Sequence, residues 1–334
     1  MKRGSGNDGQ GGMYMRMTEA GRSAATGIEA ETGRVALKRR IGSRLRKAAI
    51  RLRPYAMVAP AMTGIIVFVI YPMFYLIYLS MYKYNLMNKA KSVFIGFDNY
   101  AQIFAREDFY KALANTALYT AGVVAFTMLL SLLTAVWLSK RTWMNSLVQA
   151  GIFTPHIISI VSVSLVWLWL MEPNIGFLNF VLKAIGLPPS PWLQSSKTAL
   201  ISIIIVSVWQ NIGYFTLIIV AALHGVPSSI VEAAELDNAN KFQVFTRIML
   251  PLISPQLFFI LIIMTIGSFK VFDTVRIMTG GGPNNATTTL VYYIFGFRTT
   301  NIGYASAAGV VLMAIIALLT VVYFRLLAKR VHYQ

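Results

Sequence analysis

Long apolar runs with almost no charge constrain this chain more than any other feature. Stretches such as 58–80, 201–223 and 306–327 each hold about the 20 residues that a helix needs to cross roughly 30 Å of hydrocarbon. In lipid every backbone N–H and C=O needs an internal partner, so runs of this length are read as membrane helices. The pattern predicts six spans, at about 57–80, 112–138, 148–170, 199–223, 256–275 and 302–327: an all-α integral membrane protein. Composition agrees, since 56% of the 334 residues are apolar and 13% charged, where a soluble domain carries about a quarter charged residues. The absence of cysteine excludes a disulfide framework, thiolate metal sites and a cysteine nucleophile.

The net charge of +18 is uneven, because residues 1–53 alone hold 13 Lys+Arg against 4 Asp+Glu. Residues 1–33 are rich in Gly, Ser and Thr without a periodic apolar face and are expected to be disordered. From 35 to 53, Ile41, Leu45, Ala49 and Leu52 recur at helical spacing among eight Lys and Arg. That pattern predicts an amphipathic basic helix on an anionic membrane surface, ended by Pro54. A nucleic-acid arm is the rival reading, disfavoured by the adjoining span. No apolar core of a cleavable signal is expected near the N-terminus. The chain therefore reads as a basic tail, 1–53, and a six-span domain, 54–334. An even span number puts both termini on one side, and the basic tail places that side in the cytoplasm. The loops alone do not decide orientation, since seven cations fall inside and nine outside.

The segment 224–255 is polar enough to leave the membrane and apolar enough to dock on something. Glu232-Ala233-Ala234 is expected to begin a helix whose Ala233, Leu236 and Ala239 share one side. A break is expected near Asn238-Ala239-Asn240, and Phe242, Phe245 and Met249 then resume helical spacing before Leu250-Pro251. Two short helices at an angle follow from this pattern, either as a docking loop or as an ordinary connector.

Enzymatic signatures are absent. There is no Gly-x-x-x-x-Gly-Lys-Ser/Thr loop, His-Glu-x-x-His or Gly-x-Ser-x-Gly, and Gly280-Gly281-Gly282-Pro283 reads as an extracellular turn. The histidines, His156, His224 and His332, lie far apart. Ion-coupled carriers use acidic groups inside the membrane, and here only Asp273 qualifies. At i and i+3 it is expected to pair with Lys270. Polar groups interrupt the spans at Thr154-Pro155-His156, at Trp209-Gln210-Asn211-Ile212-Gly213-Tyr214 and at Gly267-Ser268-Phe269-Lys270. Such groups mark either a translocation pathway or hydrogen bonds between helices.

The chain resembles the permease subunits of ATP-binding-cassette importers, and within them the maltose-type carbohydrate permeases. The resemblance rests on Glu232-Ala233-Ala234 spaced to Ile248-Met249-Leu250-Pro251, and covers about residues 55–327. Further matches are Phe94-Ile95-Gly96-Phe97-Asp98-Asn99-Tyr100, Asn115-Thr116, Pro173-Asn174-Ile175-Gly176 with Asn179, Phe272-Asp273, Thr279-Gly280-Gly281-Gly282-Pro283 and Gly303-Tyr304-Ala305-Ser306-Ala307. It implies the six-helix type I importer permease fold in a bacterial inner membrane. Asn238 departs from the family, which has Gly at this bend; a left-handed backbone is expected there, and Asn tolerates it best among other residues.

What the resemblance implies is a transport subunit that is not itself an enzyme. Glu232, Ala233, Ala234, Asp237, Asn238, Ala239, Leu250 and Pro251 would form a coupling helix seated in a separate ATPase subunit. ATP and Mg would be bound by that partner, with no cofactor in this chain. A second related permease, two ATPase subunits and a solute-binding protein would complete the importer, which would work by alternating access. His156, Asn211, Tyr214 and Lys270 match positions that line the sugar site in such permeases. Lys270 and Arg276, with Arg298 and Lys197 near outer span ends, make an acidic solute such as a uronate oligomer a candidate beside a neutral oligosaccharide, with a sugar or glycerol phosphate as a third. The alternatives are pairing of Lys270 with Asp273 and snorkelling of Arg276. An ion-coupled carrier or a channel is the other class of function.

Overall fold

In a computed structural model of the chain, residues 53–84 and 92–326 are described. The disorder expected for 1–33 and nearly all of the basic helix expected at 35–53 therefore concern residues outside the described ones. The chain divides into two compact units, 1–73 and 74–334. In the first, residues 53–73 are helical throughout and belong to the candidate span α1, Arg53–Ser80. This helix widens to a π turn at Ile66–Ile70, where the Tyr71 N–H bonds Ile66 O. Pro72 supplies the cause: its ring crowds the carbonyl four residues back and it donates no N–H, so the preceding turn loosens by one residue.

Among the described residues of the second unit, the regular structure is helical apart from a two-stranded antiparallel pair, Tyr82–Lys83 (β1) with Val93–Phe94 (β2), in which Tyr82 faces Phe94. A short helix, α2 (Asp98–Phe104), precedes the long span α3 (Glu107–Leu138). Next come α4 (Trp143–Ile157) and α5 (Ile160–Leu170), the surface helix α6 (Phe177–Ala184) and the span α7 (Ala199–His224). Beyond α7 lie α8 (Ser228–Leu236), α9 (Lys241–Leu252), α10 (Ser254–Phe269), α11 (Asp273–Met278), α12 (Leu290–Gly296) and the last span α13 (Ile302–Leu326).

Among the described residues four helices are long and apolar enough to cross a membrane, and counting each of two bent pairs as one span brings the number to the six expected. The bent pairs correct the span readings. Residues 148–170 are not one straight crossing: α4 and α5 meet at 97°. Pro155 removes a donor in the last turn of α4, and Ile158 and Ser159 are extended, so the helix restarts in a new direction. Likewise α9 and α10 meet at 66° at Ile253, and a second π turn, Phe245–Met249, stands directly before Leu250-Pro251. The same proline effect accounts for it. The fifth span ends at Phe269 rather than near 275, and α11 starts afresh at Asp273.

Helix association uses hydrogen bonds as well as apolar packing, as it must where lipid offers no hydrophobic drive. Along the α3–α7 seam, Tyr119 Oη donates to Ser207 Oγ at 2.8 Å, Ser131 Oγ to Ile212 O at 3.0 Å, and the Thr134 and Thr216 hydroxyls lie 2.7 Å apart. Below that ladder, Ala135, Leu138, Phe215, Ile219, Leu223, Ile253 and Ile260 form an apolar core.

Three buried asparagines satisfy the backbone where helices break. Asn99 Nδ2 donates to Ser80 O and Tyr82 O, closing the end of α1. Asn115 Nδ2 donates to Asn285 O and Thr288 O, tying the Gly-Gly-Gly-Pro-Asn-Asn turn to α3, and Thr116 Oγ1 accepts the Leu290 N–H at the start of α12. Asn179 holds the loops either side of α6. At Gly303 a side chain is impossible, since a Cβ would lie 1.9 Å from Tyr82 O, so the first turn of α13 packs directly on the β1 backbone.

Candidate functional site

The polar interruption of α7 becomes a cavity because α4 crosses it at contact distance. A Cβ on Gly213 would lie 1.8 Å from Ile152 O, so only glycine lets the two backbones meet there. The crossing sets His156, one turn further along α4, face to face with Tyr214: their rings are 4.3 Å apart and 9° from parallel. Asn211 sits one turn before Tyr214, with Nδ2 donating to Ser207 O at 2.7 Å. From the opposite side the end of α10 contributes Gly267, Ser268 and the exposed Lys270, which occupies the C-cap, and the chain break supplies Phe272 and Asp273. The space enclosed is about 350 Å³, within the range of small-molecule sites.

Four of the five pathway residues read from the sequence, His156, Asn211, Tyr214 and Lys270, line this one cavity. Arg276 does not. Its guanidinium lies over the Phe272 and Phe295 rings, at 5.7 and 5.0 Å from their centroids. The ion pair expected between Lys270 and Asp273 is not formed: the helix breaks between them, so the i, i+3 geometry it required is gone, and both side chains face the cavity. Sequence reasoning did not name Tyr119, Ser207 and Thr274, which also line the space. Ser207 is one helical turn before Asn211, and Tyr119 one turn after Asn115, so the face was there to be extended. The surface offers a flat aromatic pair, amides, hydroxyls, one ammonium and one carboxylate. It is suited to a polyhydroxylated solute with apolar faces and hydrogen-bonding edges.

The loop 224–255 is a second constellation. Its first helix starts at Ser228 after Pro227, four residues earlier than expected, because Pro227 pre-sets the backbone for a helix start. It ends as the sequence required, with Asn238 left-handed at φ 58°. The Ala239 N–H reaches Ala234 O and the Asn238 N–H reaches Glu235 O, a complete Schellman motif. Asn240 and Gln243 then cap α9 reciprocally. Glu232, Ala233, Asp237 and Asn238 are exposed, Ala234 is buried, and Ala239, Leu250 and Pro251 are half-buried. Leu236 and Phe242 project into the open, at 86% and 75% exposure. The two caps fix the turn between the helices, and the two apolar side chains remain exposed on either side of it.

Broken membrane spans around a polar cavity, with a capped two-helix loop outside the apolar region, define a multi-pass membrane transport subunit. The chain belongs to the binding-protein-dependent transport system inner membrane component family, whose profile matches residues 49–333. It is a permease subunit of the ATP-binding-cassette importer type, a transport component rather than an enzyme, in the inner membrane. It is 32% identical over 286 residues to the sn-glycerol-3-phosphate transport system permease protein UgpA of Rhizobium meliloti (strain 1021), covering 85% of this chain and 97% of that protein. It is 31% identical over 282 residues to the sulfoquinovosyl glycerol transport system permease protein SmoG of Agrobacterium fabrum (strain C58 / ATCC 33970), covering 84% and 92%. Among solved structures, a chain of a bacterial alginate transporter, crystallised in complex with an alginate pentasaccharide-bound periplasmic protein, superposes with a TM-score of 0.74. That chain is 25% identical, with 84% of this chain and 96% of that one covered.

Proposed function

We propose that this permease forms half of the translocation pathway for an acidic carbohydrate or polyol, handed over by a solute-binding protein. The observation that carries the reading is the cavity in which a stacked His156–Tyr214 pair and Asn211 face Lys270. The ring faces suit the C–H face of a sugar, the amide its hydroxyls, and the ammonium an acid group. Three relatives point the same way by their names: one concerns a phosphate ester, one a sulfonated sugar glycoside and one a polyuronate. A second, related permease would supply the other half, and two ATPase subunits binding ATP and Mg would dock on the loop 224–255. Residues 54–334 are the six-span working domain in this reading, with both termini cytoplasmic, and 1–53 a basic surface anchor. Closure of the ATPases would draw the paired loops together and open the cavity outward; their reopening would release the solute inward.

Purification through this chain tests the assembly: an ATPase subunit should come with it, and neither a channel nor an ion-coupled carrier requires one. Glu232→Lys reverses the charge on the exposed side of α8. It should leave membrane insertion intact while ATP hydrolysis no longer drives uptake in proteoliposomes. Normal import by that variant would remove the coupling role from this loop.

A further inference from the structure

Outside the cavity, two cations share one ring. Arg298 Cζ lies 3.6 Å from the centroid of Phe295, and its Nη1 donates to Phe295 O at 2.9 Å. Arg276 Cζ lies 5.0 Å from the same centroid. Phe295 in turn packs on Phe272 with ring centroids 4.7 Å apart, and Phe272 is part of the cavity wall. The two arginines come from different elements, α11 and the turn after α12, so the fold brings them together. Both are exposed, and their partners among the described residues are the rings and that one carbonyl, with no carboxylate in an ion pair with either.

Two guanidinium charges gathered on one ring repel each other, and a bound anion would offset that repulsion. Arg298 spends one N–H on the Phe295 carbonyl and has others to offer. A guanidinium edge matches the two oxygens of a carboxylate or phosphate. The fold gathers two guanidinium groups on one ring, one aromatic layer away from the space that holds Lys270.

We propose that Arg276 and Arg298 form an oxyanion site beside the cavity, which binds the carboxylate or phosphate of the solute before it passes to Lys270. The inference rests on the transport reading above and adds a station to it. It also gives Arg276 a place: at the approach to the cavity rather than inside it.

The test is chemical protection in the intact importer, purified through this chain and held in nanodiscs. Phenylglyoxal modifies accessible arginines, and mass spectrometry reports the rate separately at Arg276 and Arg298. A pentauronate or sn-glycerol 3-phosphate at millimolar concentration should slow modification at both positions by about tenfold, the scale of a charge-assisted hydrogen-bonded contact. A neutral maltopentaose should not. Which of the two anions protects identifies the acid group. Arg298→Gln should abolish protection at Arg276, because the site needs both forks. Protection by phosphatidylglycerol nanodiscs and by neither soluble anion would assign the pair to lipid headgroups and overturn the proposal. Protection by the solute-free binding protein alone would assign it to a protein docking surface and do the same, as would equal rates under all conditions. Failure of the transport reading shows separately, as an unmodified wild-type assembly that lacks an ATPase or does not import.

Discussion

Asn179 shows how much one side chain can hold. It is almost fully buried and uses all four of its hydrogen-bonding positions: Nδ2 donates to Pro173 O and Ser190 O, and Oδ1 accepts from Ser190 N and Trp192 Nε1. Asn179→Ala leaves several of these groups without partners, each costing about 1–3 kcal/mol. The variant should unfold several degrees lower in detergent, and an unchanged midpoint would mean that water replaces the amide. Close by, Glu172 accepts the N–H groups of Ile175 and Asn174, both at 2.6 Å, and the bond from Ile175 holds its carboxyl below the usual value. A depressed carboxylate pKa adds stability that is complete above the unfolded value of about 4.3 and is lost as pH falls through the folded one. Protection of the Asn174 and Ile175 amides, taken against the intrinsic exchange rate at each pH, should therefore fall as pH drops through the folded value and hold at neutral pH, with Glu172→Gln poorly protected at both. The left-handed bend at 238 gives a sharper contrast. Asn238→Gly should be neutral or slightly stabilising, whereas Asn238→Val forces a β-branched residue to φ 58° and should weaken both α8 and the coupled ATPase activity.

Elements were legible in proportion to how far local chemistry decides them. Six apolar runs and the loop breaks at 238–240 follow from hydropathy, proline and cap residues, and α3, α7 and α13 stand close to where the pattern put them. The 97° elbow between α4 and α5 was hidden because the two halves together read as one span-length run; Pro155 marks a weak point in the helix without saying which way the chain turns. Its direction is set by tertiary contact with α7, and that contact depends on a residue that looks incidental in sequence. Gly213→Ala would press a methyl group into the Ile152 carbonyl. The result should be separation of α4 from α7, a loss of roughly 2 kcal/mol or more, and displacement of His156 from the Tyr214 face. Thermal unfolding and solute-stimulated ATP hydrolysis should fall together. Retention of both would mean that the α4–α7 crossing does not position the site. Polar interruptions of apolar runs marked the clusters, the family resemblance picked out His156, Asn211, Tyr214 and Lys270 within them, and the fold brings these four to one cavity. Tyr119 and Ser207 escaped notice because they bond each other, and such a pair looks like an ordinary interhelical contact until the cavity beside it is seen.

At the scale of the whole molecule the question is how a cavity bearing both Lys270 and Asp273 chooses between charged and neutral solutes. Lys270 and Asp273 sum to zero formal charge whether or not they pair, but as an ion pair each would spend most of its field and hydrogen bonding on the other. The break after Phe269 separates them, so both line the cavity without pairing with one another. Two charges about 6 Å apart interact by roughly 2–3 kcal/mol at an effective dielectric of about 20. Lys270 is exposed, and solvent screening reduces that figure, leaving about a tenfold effect as the expectation. The signs of the two substitutions must then oppose one another. Lys270→Gln should lower import of a uronate oligomer or a glycerol phosphate about tenfold while the binding protein's own affinity for it is unchanged. Asp273→Asn, which removes the repulsive group, should raise import of the same anion or leave it unchanged, and should never lower it. Raising ionic strength should shrink the Lys270 effect, because screening acts on charge and not on shape. Uptake of the anion that is indifferent to Lys270→Gln at low salt would return the cavity to neutral sugars, recognised by the His156–Tyr214 stack and Asn211 alone.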